Sequence, residues 1–250
     1  MQADSQWLLS KTIAHRGLHD DLIPENTLMA FQKAVEKDYA IELDVHITLD
    51  EKLVVFHDDN ISRLMGVNRR IEECTLSELK AYQISGTSER IPTIEEVLKT
   101  VNGKVPILIE IKNGGEQGKI ENLLCEVLKK YPYEYAIQSF NPFSVKWLKD
   151  NAPEIVRGQL SGNYLDPKMS VLRKIVLKYC LTNLITKPHF INYDIKLMPN
   201  ILTKICKFWG YPVLGWTART KDDRKAIKYC DNLVMEGEAI NLGPLKRNKV

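Results

Sequence analysis

Glu42-Leu43-Asp44-Val45, followed across the polar turn Asp50-Glu51-Lys52 by Leu53-Val54-Val55-Phe56-His57-Asp58, organises the reading of the whole chain. Glu42 and Asp44 are two residues apart in a β-rich run, so a strand there sends both side chains to one face. Adjacent carboxylates repel and are costly to bury, so such a pair needs a metal, a shared proton or basic neighbours. Taken alone, a Glu-x-Asp on a strand is more often a solvated face. The second run ends an apolar strand in a histidine, whose imidazole titrates near neutral pH and suits acid–base chemistry.

Working outward, Lys11-Thr12-Ile13-Ala14 reads as a short strand ending in His15-Arg16-Gly17. A histidine and an arginine at a strand's C-terminal end, with a glycine for a tight exit, suit an anion site at a barrel mouth. Pro24-Glu25-Asn26-Thr27 opens a helix in which Asn26 or Thr27 is the cap and Ala30, Phe31, Ala34 and Val35 form the apolar stripe. Val105–Lys112 is the clearest buried strand and ends in Glu110 and Lys112, again on one face. A third carboxylate at the end of a third strand is hard to explain as solvation, and it favours a metal.

After Lys112 helices and strands alternate. The expected strands are Tyr135–Ser139, Ile155–Leu160, Asn183–Thr186, Pro212–Thr217 and Asn232–Glu236. The helices between them are Pro142–Asn151, Val171–Tyr179, Leu197–Phe208 and Asp222–Lys228. Alternation at these lengths implies parallel pairing, and counting from Thr12 gives eight units, so the expected fold is α/β, a (β/α)8 TIM barrel. An open doubly wound sheet is the lesser alternative, because no G-x-G-x-x-G follows the first strand. No linker divides the chain, so residues 1–250 read as a single domain. The weakly patterned stretch from about 58 to 91 reads as an excursion over the barrel mouth.

Composition narrows the partners. At 250 residues with 44% hydrophobic and 27% charged side chains, this is an ordinary globular chain. A formal charge of +3 is too slight and dispersed to argue for nucleic acid, and it suits a small anionic substrate. The N-terminus lacks the basic start and apolar core of a secretory signal, and no apolar run reaches transmembrane length, so neither export nor a transmembrane anchor is expected. Five scattered cysteines without a C-x-x-C pair read as reduced thiols of a cytoplasmic protein.

The ordered set His15-Arg16-Gly17, Pro24-Glu25-Asn26-Thr27, Glu42-Leu43-Asp44-Val45, Val55-Phe56-His57-Asp58 with Arg63, Ile91-Pro92-Thr93, Ile109-Glu110-Ile111-Lys112, Ser139-Phe140 and Gly215-Trp216-Thr217 resembles the glycerophosphodiester phosphodiesterase family. The resemblance implies a barrel that hydrolyses a small-molecule glycerophosphodiester to an alcohol and sn-glycerol 3-phosphate. It implies Glu42, Asp44 and Glu110 as ligands of a divalent ion, and hard oxygen donors favour Mg²⁺ or Ca²⁺. It implies His15 and His57 as the acid–base pair and Arg16 and Lys112 near the phosphoryl oxygens. Trp216 reads either as facing the glycerol moiety or as packing at the end of a barrel strand.

Two departures concern the seventh and eighth strands. Trp216-Thr217 continues as Ala218-Arg219 where the family often has Val-Asn, and Met235-Glu236-Gly237-Glu238 stands where a Thr-Asp-x-Pro-like turn is common. Arg219 reads either as an added anion contact or as a solvated arginine at a helix start. His19, His46 and His189 read as structural or surface residues. Two other functions compete: lysophospholipase D-like or phosphoinositide phospholipase-like cleavage of a lipid phosphodiester, and non-catalytic binding of a phosphorylated ligand. A lipid-active barrel needs an exposed apolar rim, which the polar stretch Asp58–Arg90 does not supply.

Overall fold

In the computed structural model, residues 5–84, 86–112, 117–164 and 169–245 are described. The strands are β1 (Ile13–Ala14), β2 (Ala40–Ile47), β3 (Leu53–Val55), β4 (Ile107–Ile111), β5 (Tyr135–Ser139), β6 (Arg157–Ser161), β7 (Phe190–Asp194), β8 (Val213–Ala218) and β9 (Asn232–Met235). Their hydrogen-bonded order is β1-β9-β8-β7-β6-β5-β4-β2-β3, with β1 also paired to β2. With β3 set aside as a hairpin partner, the order of the other eight returns on itself, which is the order of a (β/α)8 barrel.

The chain forms two compact units. In Ala14–Tyr135, β2 pairs with β3 antiparallel and with β4 parallel, the latter register setting Asp44 opposite Glu110. The helix Leu28–Glu36 starts at Thr27, whose Oγ1 accepts from the Ala30 N–H at 3.2 Å, and it buries Ala30, Phe31 and Ala34. Helix Ile94–Val101 has a reciprocal Thr93–Glu96 capping box and buries Ile94, Val97, Leu98 and Val101, the face its spacing dictates. The stretch after Asp58 carries two short helices, Ser62–Met65 and Leu76–Ala81. Its Ile61, Ile71, Cys74 and Leu79 cluster on Val54 and Phe56, so it is anchored through the side chains of β3 and its exit.

The other unit comprises Met1–Ile13 and Ala136–Val250. Within it β6, β7, β8 and β9 form a parallel ladder, with a register irregularity between Gly215 and Ala218. Gly158 on β6 lies opposite Phe190 on β7, and a Cβ there would sit 2.2 Å from the Phe190 ring. At the far end, the Asn232 amide donates to the carbonyls of Leu8 at 2.8 Å and Lys11 at 2.7 Å, tying the start of the chain to β9.

Two expected elements differ. Asn183–Thr186 is a short helix, and the strand lies at Phe190–Asp194. The reason is burial: Leu184 and Ile185 face solvent, whereas Phe190, Ile191 and Tyr193 are fully enclosed as an inner parallel strand requires. The helix expected from Leu197 begins at Ile201. Pro199 supplies no N–H, and Asn200 caps the helix by accepting from the Thr203 N–H at 3.0 Å.

Candidate active site

The site assembles within the Ala14–Tyr135 unit. Period-two geometry on β2 places Glu42 and Asp44 on one face, and the β2–β4 register brings Glu110 beside them. All three are buried, and ligand oxygens from each lie within 4.8 Å of one another. Lys112, just past β4, places its Nζ 2.6 Å from Glu110 Oε1 and 3.0 Å from Asp44 Oδ1.

The turn after β1 delivers the next groups. His15 Nε2 lies 4.0 Å from Glu42 Oε2. The backbone N–H of Arg16 donates to the same oxygen at 3.0 Å. Its guanidinium donates from Nη1 to Glu25 at 2.8 Å, with Nε 3.6 Å from Asp44. Gly17 has φ +80°, and a Cβ there would meet Ala30 and Phe31 at 2.9 Å, so the turn presses directly onto helix Leu28–Glu36.

His57 follows β3, with Nδ1 2.7 Å from Asp58 Oδ1. An acceptor there makes Nδ1 the protonated nitrogen and leaves Nε2 for proton exchange. Asp58 in turn accepts from Arg63 Nε at 2.6 Å, and Arg63 Nη2 donates to Glu25 Oε1 at 2.6 Å. Glu25 therefore joins the Arg16 turn to the His57 turn through one carboxylate. His46, near the end of β2, donates from Nε2 to the His57 carbonyl at 3.2 Å and so supports the His57 backbone.

Asn26 has a role that its reading as a cap did not reveal. It stands at φ +56°, a conformation asparagine tolerates better than most residues, and its Nδ2 donates to Asp44 Oδ2 at 2.9 Å. Thr27 alone does the capping. The short Pro-Glu-Asn-Thr run thus spends three consecutive residues on three tasks: the arginine bridge, an Asp44 contact and the helix start.

The electrostatics follow from burial and crowding. The Glu42 carboxyl is pushed well above its ordinary range, first by burial and then by Asp44 and Glu110. Glu110 is raised to about 7, burial and Asp44 outweighing Lys112. Burial opposes ionisation of Asp44 too, but Lys112, His57 and Arg16 hold it well below the usual carboxylate range. Burial lowers His57, with Lys112 and Arg16 adding to the effect against Asp44. The cluster is a hard-oxygen donor set still short of positive charge, a fit for a divalent cation of the Mg²⁺ or Ca²⁺ kind.

Trp216 lies on β8, in the other unit. Its Nε1 donates to the Ser161 carbonyl at 3.2 Å, and its ring meets Phe140 edge-on at 5.4 Å. The two departures at the strand ends find each other, because Arg219 Nε donates to Glu236 Oε1 at 2.5 Å. Arg219 is thus neutralised within its own unit.

The sequence model of the Glycerophosphoryl diester phosphodiesterase family matches residues 15–237. A glycerophosphodiester phosphodiesterase from Caldanaerobacter subterraneus subsp. tengcongensis is 34% identical over 227 residues, 86% of this chain and 88% of that protein. A lysophospholipase D from Homo sapiens is 37% identical over 147 residues, 54% of this chain and 46% of that protein. Among solved structures, an Oleispira antarctica phosphodiesterase in complex with the product sn-glycerol-3-phosphate superposes with a TM-score of 0.78 at 24% identity, covering 91% of this chain and 93% of that one.

Proposed function

The chain belongs to the glycerophosphoryl diester phosphodiesterase family and is a phosphoric diester hydrolase, and from that premise we propose that it cleaves glycerophosphodiesters to an alcohol and sn-glycerol 3-phosphate. The observation that carries this reading is the convergence of Glu42, Asp44 and Glu110, buried and within 4.8 Å of one another. We assign the three carboxylates to a divalent ion, which when bound polarises a phosphoryl oxygen and draws a substrate hydroxyl or water toward attack. The reading takes residues 1–250 as one (β/α)8 domain. It places the protein in the cytoplasm, in keeping with five cysteines that are all buried.

His57 begins unprotonated at neutral pH, since burial lowers it, and its Nδ1 is committed to Asp58. Its Nε2 is therefore assigned to take a proton from the attacking water or substrate hydroxyl, while His15, beside Glu42, returns one to the departing alkoxide. Where the substrate hydroxyl attacks, water then opens the cyclic phosphate to give sn-glycerol 3-phosphate. Arg16 and Lys112 supply the fixed positive charge that meets the phosphoryl oxygens as negative charge gathers there. Trp216 is assigned to the glycerol moiety.

The test is release of glycerol 3-phosphate from glycerophosphocholine with Mg²⁺, Mn²⁺ or Ca²⁺ supplied in turn, against excess EDTA. Turnover with an added ion and none in EDTA is expected; full activity in EDTA would remove the ion from the scheme. A second reading, headgroup cleavage of a lysophospholipid, is favoured by the likeness to the human lysophospholipase D. Faster turnover of acylated than of deacylated substrate would select it.

A further inference from the structure

Helix Val171–Lys178 is amphipathic, yet its Val171, Leu172 and Ile175 face solvent, and Leu177 is the residue it buries. Helix Ile201–Phe208 is inverted in the same way. Ile201, Ile205, Phe208 and the following Trp209 recur at the i, i+4, i+7, i+8 spacing of one helical face, and all four are exposed, while the small Thr203 and Cys206 face inward. Between these helices the short helix Asn183–Thr186 exposes Leu184 and Ile185. Leu184 is 85% exposed, Phe208 84% and Trp209 78%, values unusual for side chains of this size and apolarity.

Helices Asn183–Thr186 and Ile201–Phe208 border one groove. Leu184 of the first and Leu202 and Cys206 of the second line a cavity of about 470 Å³, and Tyr179, the C-terminal cap of helix Val171–Lys178, lines it too. The three elements that carry the exposed apolar residues therefore meet at one groove of the Ala136–Val250 unit.

The segment that builds this surface is one-sided in charge as well. Residues 169–211 carry seven lysines and arginines (Arg173, Lys174, Lys178, Lys187, Lys196, Lys204 and Lys207) and a single acid, Asp194. That is +6 along the segment in a chain whose total is +3, so the rest of the chain is net acidic; Lys196 lies beside Asp222 and Asp223, away from the groove, and is not part of this face. Arg173, Lys187 and Lys204 are exposed among the apolar side chains; Lys207 lies 4.0 Å from Asp231. Exposed Phe and Trp rimmed by Lys and Arg, on helices lying along a surface, match the chemistry of a bilayer interface. Basic residues there are attracted to anionic headgroups, and apolar side chains enter the acyl boundary. A second copy of this chain is a poorer occupant, because a two-fold contact would set this positive surface against itself. A nucleic acid would leave the apolar stripe without a counterpart.

We propose that the face formed by helices Val171–Lys178, Asn183–Thr186 and Ile201–Phe208 docks peripherally and reversibly on membrane surfaces containing anionic lipid, inserting Phe208 and Trp209. No helix among the described residues is long and apolar enough to cross a membrane, so the association is one of lying on the surface. The proposal is independent of which diester is hydrolysed.

Sedimentation of the full chain with large vesicles tests it, using phosphatidylcholine alone and phosphatidylcholine mixed with phosphatidylglycerol, each at low and high NaCl. Binding is expected to the anionic vesicles, weakened by salt, with phosphatidylcholine bound at least about tenfold more weakly. Arg173→Glu with Lys204→Glu should cost well over tenfold on the anionic vesicles, at about fivefold per charge removed. Phe208→Ser with Trp209→Ser should cost about tenfold or more with the salt dependence retained. Unchanged thermal unfolding shows that either pair folds; should one pair misfold, the other carries the test. No sedimentation with either vesicle overturns the proposal. So does binding that neither pair alters, or a concentration-dependent dimer that Phe208→Ser with Trp209→Ser abolishes, which would assign the face to a second copy.

Discussion

Asp58 accepts the Nε–H of Arg63 at 2.6 Å, an exposed arginine holding the carboxylate that fixes the Nδ1 edge of His57. Arg63 makes a second pair of bonds to Glu25, the partner of Arg16. One guanidinium thus spans the turns that follow β1 and β3.

Arg63→Ala should lower kcat by about 10- to 100-fold, the usual cost of losing a partner that orients a functional histidine, with KM little changed. Asp58→Asn should be more severe, because an amide that offers its NH₂ to Nδ1 favours the tautomer with the proton on Nε2. Steady-state kinetics on a soluble glycerophosphodiester checks both. A rise in KM at constant kcat would show that Arg63 binds substrate instead.

Asn26 separates two contributions. Asn26→Gly removes the bond to Asp44 while tolerating φ +56°, and should cost about 1.5–3 kcal/mol, the worth of a hydrogen bond to a buried charge. Asn26→Ala loses the same bond and adds the strain of a left-handed alanine, about 1 kcal/mol more. Urea denaturation of the two variants checks the order, and glycine less stable than alanine would contradict it.

Glu110 is raised to about 7 in the folded chain, above its unfolded value near 4.5. Between those values the folded state binds the extra proton, so this group's contribution to stability falls as pH rises from about 4.5 to 7. In EDTA, Glu110→Gln should therefore gain thermal stability over the parent protein as pH increases through that window. A divalent ion, which competes with the proton, should shrink the difference by stabilising only the parent. Melting curves in EDTA and in excess Mg²⁺ or Ca²⁺ at pH 5 and pH 8 read both effects.

The carboxylates and histidines of the site were legible because each stands at the end of an apolar run, where a strand's period fixes the direction of a side chain. Glu42 and Asp44 need only that period. What joins them does not follow from local pattern: Arg63 meets Glu25 across 38 residues, and Asn26 reaches Asp44 across 18. In sequence these look like a turn arginine and a capping asparagine. The seventh strand lies away from its strongest sequence signal for a related reason. Asn183-Leu184-Ile185-Thr186 has the apolar, β-branched composition of a strand, but Leu184 and Ile185 belong to an exposed face, and composition does not reveal which side of a segment is covered. The same holds for helices Val171–Lys178 and Ile201–Phe208, whose apolar spacing gives a helical period but not which side is exposed.

Gly158 tests the ladder that carries Trp216. Its Cβ position falls 2.2 Å from Phe190 Cζ and 2.3 Å from Cε2, so an alanine cannot enter without moving a fully buried ring. Gly158→Ala should destabilise by about 3 kcal/mol, the upper range for overpacking a tight core, lowering the thermal midpoint by roughly 6–12 °C. Phe190→Leu removes the atoms in conflict and leaves a cavity, so alone it costs about 1–3 kcal/mol. Together the two changes relieve each other, and the double variant should be more stable than the sum of the single losses predicts by more than about 1 kcal/mol. Strict additivity in that cycle would mean that the β6–β7 backbones yield rather than the ring, and that Gly158 is held to glycine by something other than Phe190.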